Sequence, residues 1–198
     1  MTPKSIQDLL PLVERPSRYL GSEINTIRKD PSQTALSFAL AFPDLYEIGT
    51  SHFGIQILYH VLNGHPDSAA ERVFAPAEDV EALLASTHAP LTSLETHTPL
   101  INFDIIGFSL LYELNYTNIL TILDLAGIPF FARDRGSAVP LVVGGGPCAC
   151  NPEPLADFFD AFVIGDGEEV VLEMAEAWLS QKKAGTVDKA AVLDAWSS

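Results

Sequence analysis

Residues 35–64 read ALSFALAFPDLYEIGTSHFGIQILYHVLNG, and this stretch decides the fold class. Ala35–Phe42 is an unbroken apolar run of strand length, closed by Pro43. A run that is apolar on both faces suits a central parallel strand covered by helices on either side. The loop PDLYEIGTS follows. FGIQILYHVLN then has helical character, with Thr50 or Ser51 as N-cap and Gly64 as the C-terminal stop.

Strand and helix go on alternating toward the C-terminus. Arg72–Ala75 is a short second strand, and Pro76, Glu78 and Asp79 open a helix reaching about Ser86. LTSLE (91–95) has the composition of a short edge strand, closely flanked by Pro90 and Pro99. Phe103–Leu110 is the third strand of the main series. A helix over 115–126 follows, with Gly127 as its stop and Pro129 two residues on. Pro140–Val143 runs into GGGP, residues 151–159 suffice for about two helical turns, and Ala161–Ile164 is the last strand. In the final helix Asp166 and Glu169 have capping-box spacing. Val170, Val171, Met174 and Trp178 form its apolar stripe, and Lys182 and Lys183 sit where the helix dipole favours cations. About five alternations predict an α/β, doubly wound, parallel five-stranded sheet of flavodoxin-like order 2-1-3-4-5.

Residues 1–34 stand apart as an N-terminal arm. Ile6, Leu9, Leu10 and Val13 line one face of a short helix that Pro11 interrupts and Pro16 ends, so the arm packs on the domain or on a neighbour. The α/β domain spans 35–185, and 186–198 begins a further helix or a linker.

Composition narrows the function. The 198 residues carry 26 Asp and Glu against 11 Lys and Arg, a formal charge of −15. Between Lys29 and Arg133 the only basic residue is Arg72. Binding nucleic acid by phosphate neutralisation is therefore not expected. At 47% hydrophobic the chain can bury a sizeable core. Two cysteines one residue apart cannot staple a secreted scaffold. No segment has the pattern of a signal peptide or the length of a membrane span, so cytoplasm is the expected compartment and no membrane partner is expected.

In a doubly wound sheet ligands bind beyond the carboxyl ends of the strands. Three loops there carry Gly, Ser, Asp or Pro: Asp44-Leu-Tyr46-Glu-Ile-Gly49, Ser109-Leu-Leu111, and Gly144-Gly145-Gly146-Pro147. In this order they resemble the cobalamin-binding fold, with its D-x-H-x-x-G, S-x-L and Gly-Gly loops. Tyr46 stands in the histidine position. The longer phrases PSRYLGSEIN, FPDLYEIG, FDIIGFSLLYELNYTNIL, LAGIP and GGPCACNPEPLADFFDAFVIGDGEE are similar to the N-terminal domain of cobalamin-binding-type radical SAM proteins. More narrowly they resemble an uncharacterised family often termed Fe–S oxidoreductases, over about residues 15–180.

The resemblance implies cobalamin as the cofactor, held by Asp44, Tyr46, Gly49, Ser109, Leu111, Gly144, Gly145 and Gly146. A neutral tyrosine is a poor ligand, so cobalt would receive no protein nitrogen from the first loop; His52 lies nearby at a different spacing. Radical SAM chemistry needs C-x-x-x-C-x-x-C to hold its [4Fe–4S] cluster, and this chain has only Cys148 and Cys150. S-adenosylmethionine and the cluster are therefore expected in a catalytic radical SAM domain beyond residue 198. That domain is the partner, and this chain has no catalytic or metal-ligating residue of its own. The domain would present the corrinoid or dock on the catalytic barrel. The alternative is a degenerate domain that binds no cofactor and serves assembly or substrate presentation.

Other signals have plainer readings. Gly144-x-Gly146-x-x-Ala149 with Asp166 matches a dinucleotide fingerprint, but Pro147, Pro152 and Pro154 leave no room for its long helix. Cys148-Ala-Cys150 is a metal pair without partners, or two small residues in a tight loop. His60, His65 and Asp67 straddle a helix end. Ser109 or Asn115 can serve as a helix N-cap instead of facing a ligand.

Overall fold

A computed structural model describes residues 5–185 and 187–197 of the chain. Residues 1–4 of the arm, together with Thr186 and Ser198, lie outside the described residues. The strands are β1 (Leu36–Phe42), β2 (Ser68–Phe74), β3 (Ile105–Ser109), β4 (Leu141–Gly145) and β5 (Ala161–Val163). They pair in the order β2-β1-β3-β4-β5, all parallel, which is the expected flavodoxin-like sheet.

Alternation along β1 distributes the core. Leu36, Phe38, Leu40 and Phe42 pack on one face with α3 (Phe53–Gly64), α6 (Gly167–Lys183) and α7 (Lys189–Trp196). Ala39 and Ala41 face the other side, where α4 (Glu78–Thr87) and α5 (Tyr116–Leu125) supply Val80, Leu84, Ile119, Ile122 and Leu123. The arm contributes Ile6 and Leu9 of a single turn, α1 (Ile6–Leu9), and Val13 to this second core. It therefore packs on its own domain. Past Gly185, α7 folds back on α6: Val192 is fully buried and the Trp196 indole donates to Met174 O at 3.3 Å. Among the described residues no helix is long and apolar enough to cross a membrane.

Local expectations shift where tertiary contacts outweigh sequence pattern. β2 begins at Ser68 rather than Arg72, because Leu36↔Ser68 pairing extends it through residues of weak strand character. A single turn, α2 (Tyr46–Gly49), precedes α3. Thr50 and Ser51 donate their hydroxyls back to Tyr46 O and Ile48 O, so His52 becomes the N-cap of α3. Asp166 is the N-cap of α6 but makes no side-chain cap bond, and Glu168 and Glu169 complement the helix dipole instead. LTSLE does not join the sheet. Thr92 bridges Pro99 antiparallel and the segment lies along the outer edge of β2.

That edge is closed by side chains. The Asn63 amide brackets Ala70, donating to its carbonyl at 2.9 Å and accepting from its N–H at 3.1 Å. Leu94 N–H donates to Arg72 O at 2.8 Å, and Arg72 N–H donates to a Glu95 carboxylate oxygen at 2.7 Å. The Arg72 guanidinium meets the other Glu95 oxygen at 2.7 Å and Glu23 of the arm at 2.5 Å, and it lies over the Tyr59 ring. The Tyr46 hydroxyl donates to the same Glu23 carboxylate at 2.6 Å. Arg28 and Lys29 then tie the arm to Glu95, His65 and Ser68 carbonyls. An exposed strand edge invites pairing with another chain, and here the arm and the 91–99 loop cover it.

Removing one member of a buried ion pair leaves an uncompensated charge. Glu95→Ala is therefore expected to cost about 3 kcal/mol, the low end of the usual range because Glu23 remains on Arg72. Urea unfolding reads this, and Arg72→Met combined with Glu95→Leu should recover only part of the loss, because the Arg72 N–H still lacks the carboxylate it donates to. Burial, and then the bond to Glu23, push the Tyr46 phenol up to about 12. Its folded value lies above the ordinary phenol value of about 10. Its contribution is thus full below about pH 10 and lost as pH rises through about 12. Tyr46→Phe should flatten the fall in stability across that window, measured by unfolding at stepped alkaline pH.

Candidate cofactor cavity

Strands β3 and β4 lack bulk on the face turned to α3 and α6. Gly107 and Ser109 of β3 and Gly145 of β4 point that way, in register as Gly107↔Val143 and Ser109↔Gly145. Phe38 covers Gly107 so closely that a Cβ there would meet its ring at 2.7 Å. Nearer the carboxyl ends nothing fills the corresponding space above Ser109 and Gly145. The result is an open cavity of about 450 Å³ between the sheet and the two helices, within the usual range for small-molecule sites.

Its walls are mostly apolar. Phe38, Leu40, Val143 and Val163 come from the sheet, and Ile55, Leu58, Val171 and Met174 from the helices. Polar groups gather at the mouth: Ser109, His52, the Cys150 thiol, and Asp166 and Glu168 at the start of α6. Gly146 turns the chain out of β4 at φ 113°, where a Cβ would also meet Leu110 O at 2.9 Å. Both facts require glycine there.

The structure brings part of the predicted site together. Ser109, Leu111, Gly144, Gly145 and Gly146 all line this cavity. They differ in what they contribute. Gly144 turns its α-carbon to the opposite face, against Leu110 and Phe159, so its lack of a side chain serves packing there. At Gly145 a Cβ would meet nothing closer than Val163 at 3.6 Å, so this glycine leaves open space.

The first loop lies elsewhere. Tyr46 is engaged with Glu23 and packs edge-on against Phe74. Gly49 is wedged so tightly against Phe74 and Phe42 that any side chain would collide. Asp44 accepts from Leu45 N–H at 2.7 Å and from the Asn115 amide at 3.4 Å, and it borders a separate acidic groove beside α4. Asn115 is the N-cap of α5 by position, without a side-chain cap bond.

His52 is the residue that loop spacing passes over. Its ring packs on Phe42 at 5.4 Å and lines the cavity, and its Nδ1 is buried without a hydrogen-bond partner. Gly107 also had a signal, since an isolated glycine within a strand run marks a close approach. The fingerprint Gly144-x-Gly146-x-x-Ala149 runs into a 3₁₀ turn, Pro147–Cys150, and not into a long helix. Burial pushes the Cys148 thiol up, while Cys150 is exposed. His65 meets Glu176 at 3.2 Å and His60 lies edge-on to Tyr59. Among the described residues no three His, Cys, Asp or Glu side chains converge as metal ligands.

Comparison with known proteins supports the radical SAM part of the resemblance. Residues 54–198 match the family described as radical SAM proteins, N-terminal. An uncharacterised protein of Methanocaldococcus jannaschii is 27% identical over 139 residues, covering 69% of this chain and 26% of that protein. The chain thus spans about a quarter of that relative's length. No solved structure matches it. With a match over most of its length, the chain belongs to the family of radical SAM N-terminal domains.

Proposed function

We propose that the chain is the domain of a radical SAM protein that holds a corrinoid, and that its cavity receives the nucleotide tail. The observation carrying this reading is the convergence of Ser109, Leu111 and Gly144–Gly146 on one cavity, from two loops that the cobalamin-binding resemblance marks. The space suits a flat heterocycle with one or two hydrogen-bonding groups. Apolar walls cover its faces, and Ser109 and the unpartnered His52 Nδ1 offer polar contacts. A corrin macrocycle is too large for about 450 Å³, so the ring stays outside.

When bound, the corrinoid supplies cobalt chemistry that side chains do not offer. This chain's residues bind and orient it. Gly145 would leave room for the tail, Gly146 would set the loop, Asp44, Tyr46 and Gly49 would act as the frame beneath the carboxyl edge, and Tyr46 would offer cobalt no nitrogen. S-adenosylmethionine and the [4Fe–4S] cluster belong to the catalytic domain of the full polypeptide. A second reading, a cofactor-free domain for assembly or substrate presentation, is favoured by the engagement of Tyr46 and Gly49 in packing rather than in the cavity.

Visible-absorption titration with cobalamin tests the two. The Gly145→Leu side chain would enter open space, so the protein should stay folded. Its affinity should fall at least about tenfold, equivalent to ~1.4 kcal/mol. Tyr46→Phe should leave the cobalt spectrum unchanged. Unaltered affinity in a folded Gly145→Leu protein removes this cavity from consideration. No spectral change with the unmodified chain supports the cofactor-free reading. An imidazole-type spectrum abolished by His52→Ala would make His52 a cobalt ligand and overturn ligation without protein nitrogen.

A further inference from the structure

Several large apolar side chains in the segments that follow the carboxyl ends of the strands are exposed. Phe53, at the start of α3, is 78% exposed. Tyr112 and Leu114 after β3 are 59% and 91% exposed, and Ile164 after β5 is 66% exposed. Each follows the C-terminal end of a strand, so the topology gathers them around the mouth of the cavity. The other exposed apolar side chains of this size among the described residues are Leu12, Leu20 and Ile24 on the arm, Ile48 on α2, Ile57 on α3 and Phe130 in a loop. Isolated exposed residues need no explanation, whereas a grouped patch marks an interaction site.

The charge around the patch selects its partner. Residues 43–54, 109–117, 144–151 and 163–170 contain no Lys or Arg. They do carry exposed Glu113, Asp166, Glu168 and Glu169. Arg15 and Arg18 of the arm reach this edge, but both are paired with Glu47, so a second copy would bring two acidic rims together with those cations already engaged, which is costly. The better partner has an apolar centre bordered by Lys or Arg. About three quarters of the Methanocaldococcus relative lies outside the matched region, and the family is defined as the N-terminal part of radical SAM proteins.

We propose that Phe53, Tyr112, Leu114 and Ile164 form the seat for the catalytic part of the same polypeptide, which meets them with an apolar patch rimmed by basic side chains. This rests on the chain being the N-terminal domain of a radical SAM protein. Docking there would close the mouth of the cavity and exclude water from whatever it holds.

Hydroxyl-radical footprinting of the full-length protein tests the surface, with rates normalised for side-chain reactivity. Phe53, Tyr112, Leu114 and Ile164 should be modified several-fold more slowly than the comparably exposed Leu12 and Ile24. Leu114→Asp combined with Ile164→Asp should return Phe53 and Tyr112 to the control rate and enlarge the radius of gyration in solution scattering. A rim modified as fast as the controls overturns the proposal, as does protection that grows with protein concentration, which signifies a second copy. Cluster absorbance and reductive cleavage of S-adenosylmethionine in the same sample report separately on the underlying reading. Their presence with an open rim overturns the surface alone, and their absence with a protected rim overturns the reading of the whole protein.

Discussion

A guanidinium buried at a sheet edge must be paired, and much of this molecule is arranged around that requirement. Arg72 lies on β2, the outer strand, where its backbone faces away from the sheet. Glu95 satisfies both its N–H and its guanidinium, which fixes the 91–99 loop along the edge. Glu23 completes the pairing and so fixes the arm. The arm in turn brings Glu23 to Tyr46, which sets the first loop after β1. Desolvated charges are expensive when unpaired, so these three segments are coupled although they are distant in sequence.

The two faces of the sheet then differ in how they are filled. On the α4/α5 side Ile106, Phe108, Leu110 and Val142 close-pack with Phe159 and the helices. On the α3/α6 side Gly107, Ser109 and Gly145 interrupt the packing just where the strands end. Phe38 recovers the space over Gly107, and the remainder is the cavity. A floor made of backbone is stiff, since paired strands hold it, and it allows a ligand to approach more closely than any side chain would permit. The cavity is therefore a consequence of strands β3 and β4 ending in the small residues Ser109 and Gly145 on that face.

The candidate site was legible in the sequence only where a motif sits on the strand it terminates. Ser109-Leu-Leu111 and Gly144–Gly146 follow β3 and β4 directly, so their placement at the cavity follows from parallel topology. Asp44-Leu-Tyr46-Glu-Ile-Gly49 has the matching spacing, yet its residues point into packing. The loop makes its own single turn, and Gly49 is pinned between Phe42 and Phe74. His52 shows the converse. Its spacing gave no reason to single it out, and it reaches the cavity because α2 delays the start of α3 until His52 itself is the N-cap.

By itself, the sequence determined the class of fold, its strand order and the edge of the sheet at which its cavity opens. Apolar runs on both faces have few stable arrangements other than a covered parallel sheet, and the rule for crossovers leaves little freedom in connecting them. What only the tertiary structure decided depends on partners remote in sequence. The extent of β2 came from its register with β1, and the fate of LTSLE from Arg72. Which glycines leave space and which are merely crowded came from the side chains standing opposite them. Gly144 and Gly145 are adjacent and chemically identical, but strand alternation turns one toward Phe159 and the other toward the cavity. No local pattern separates them until the two layers of helices are in place.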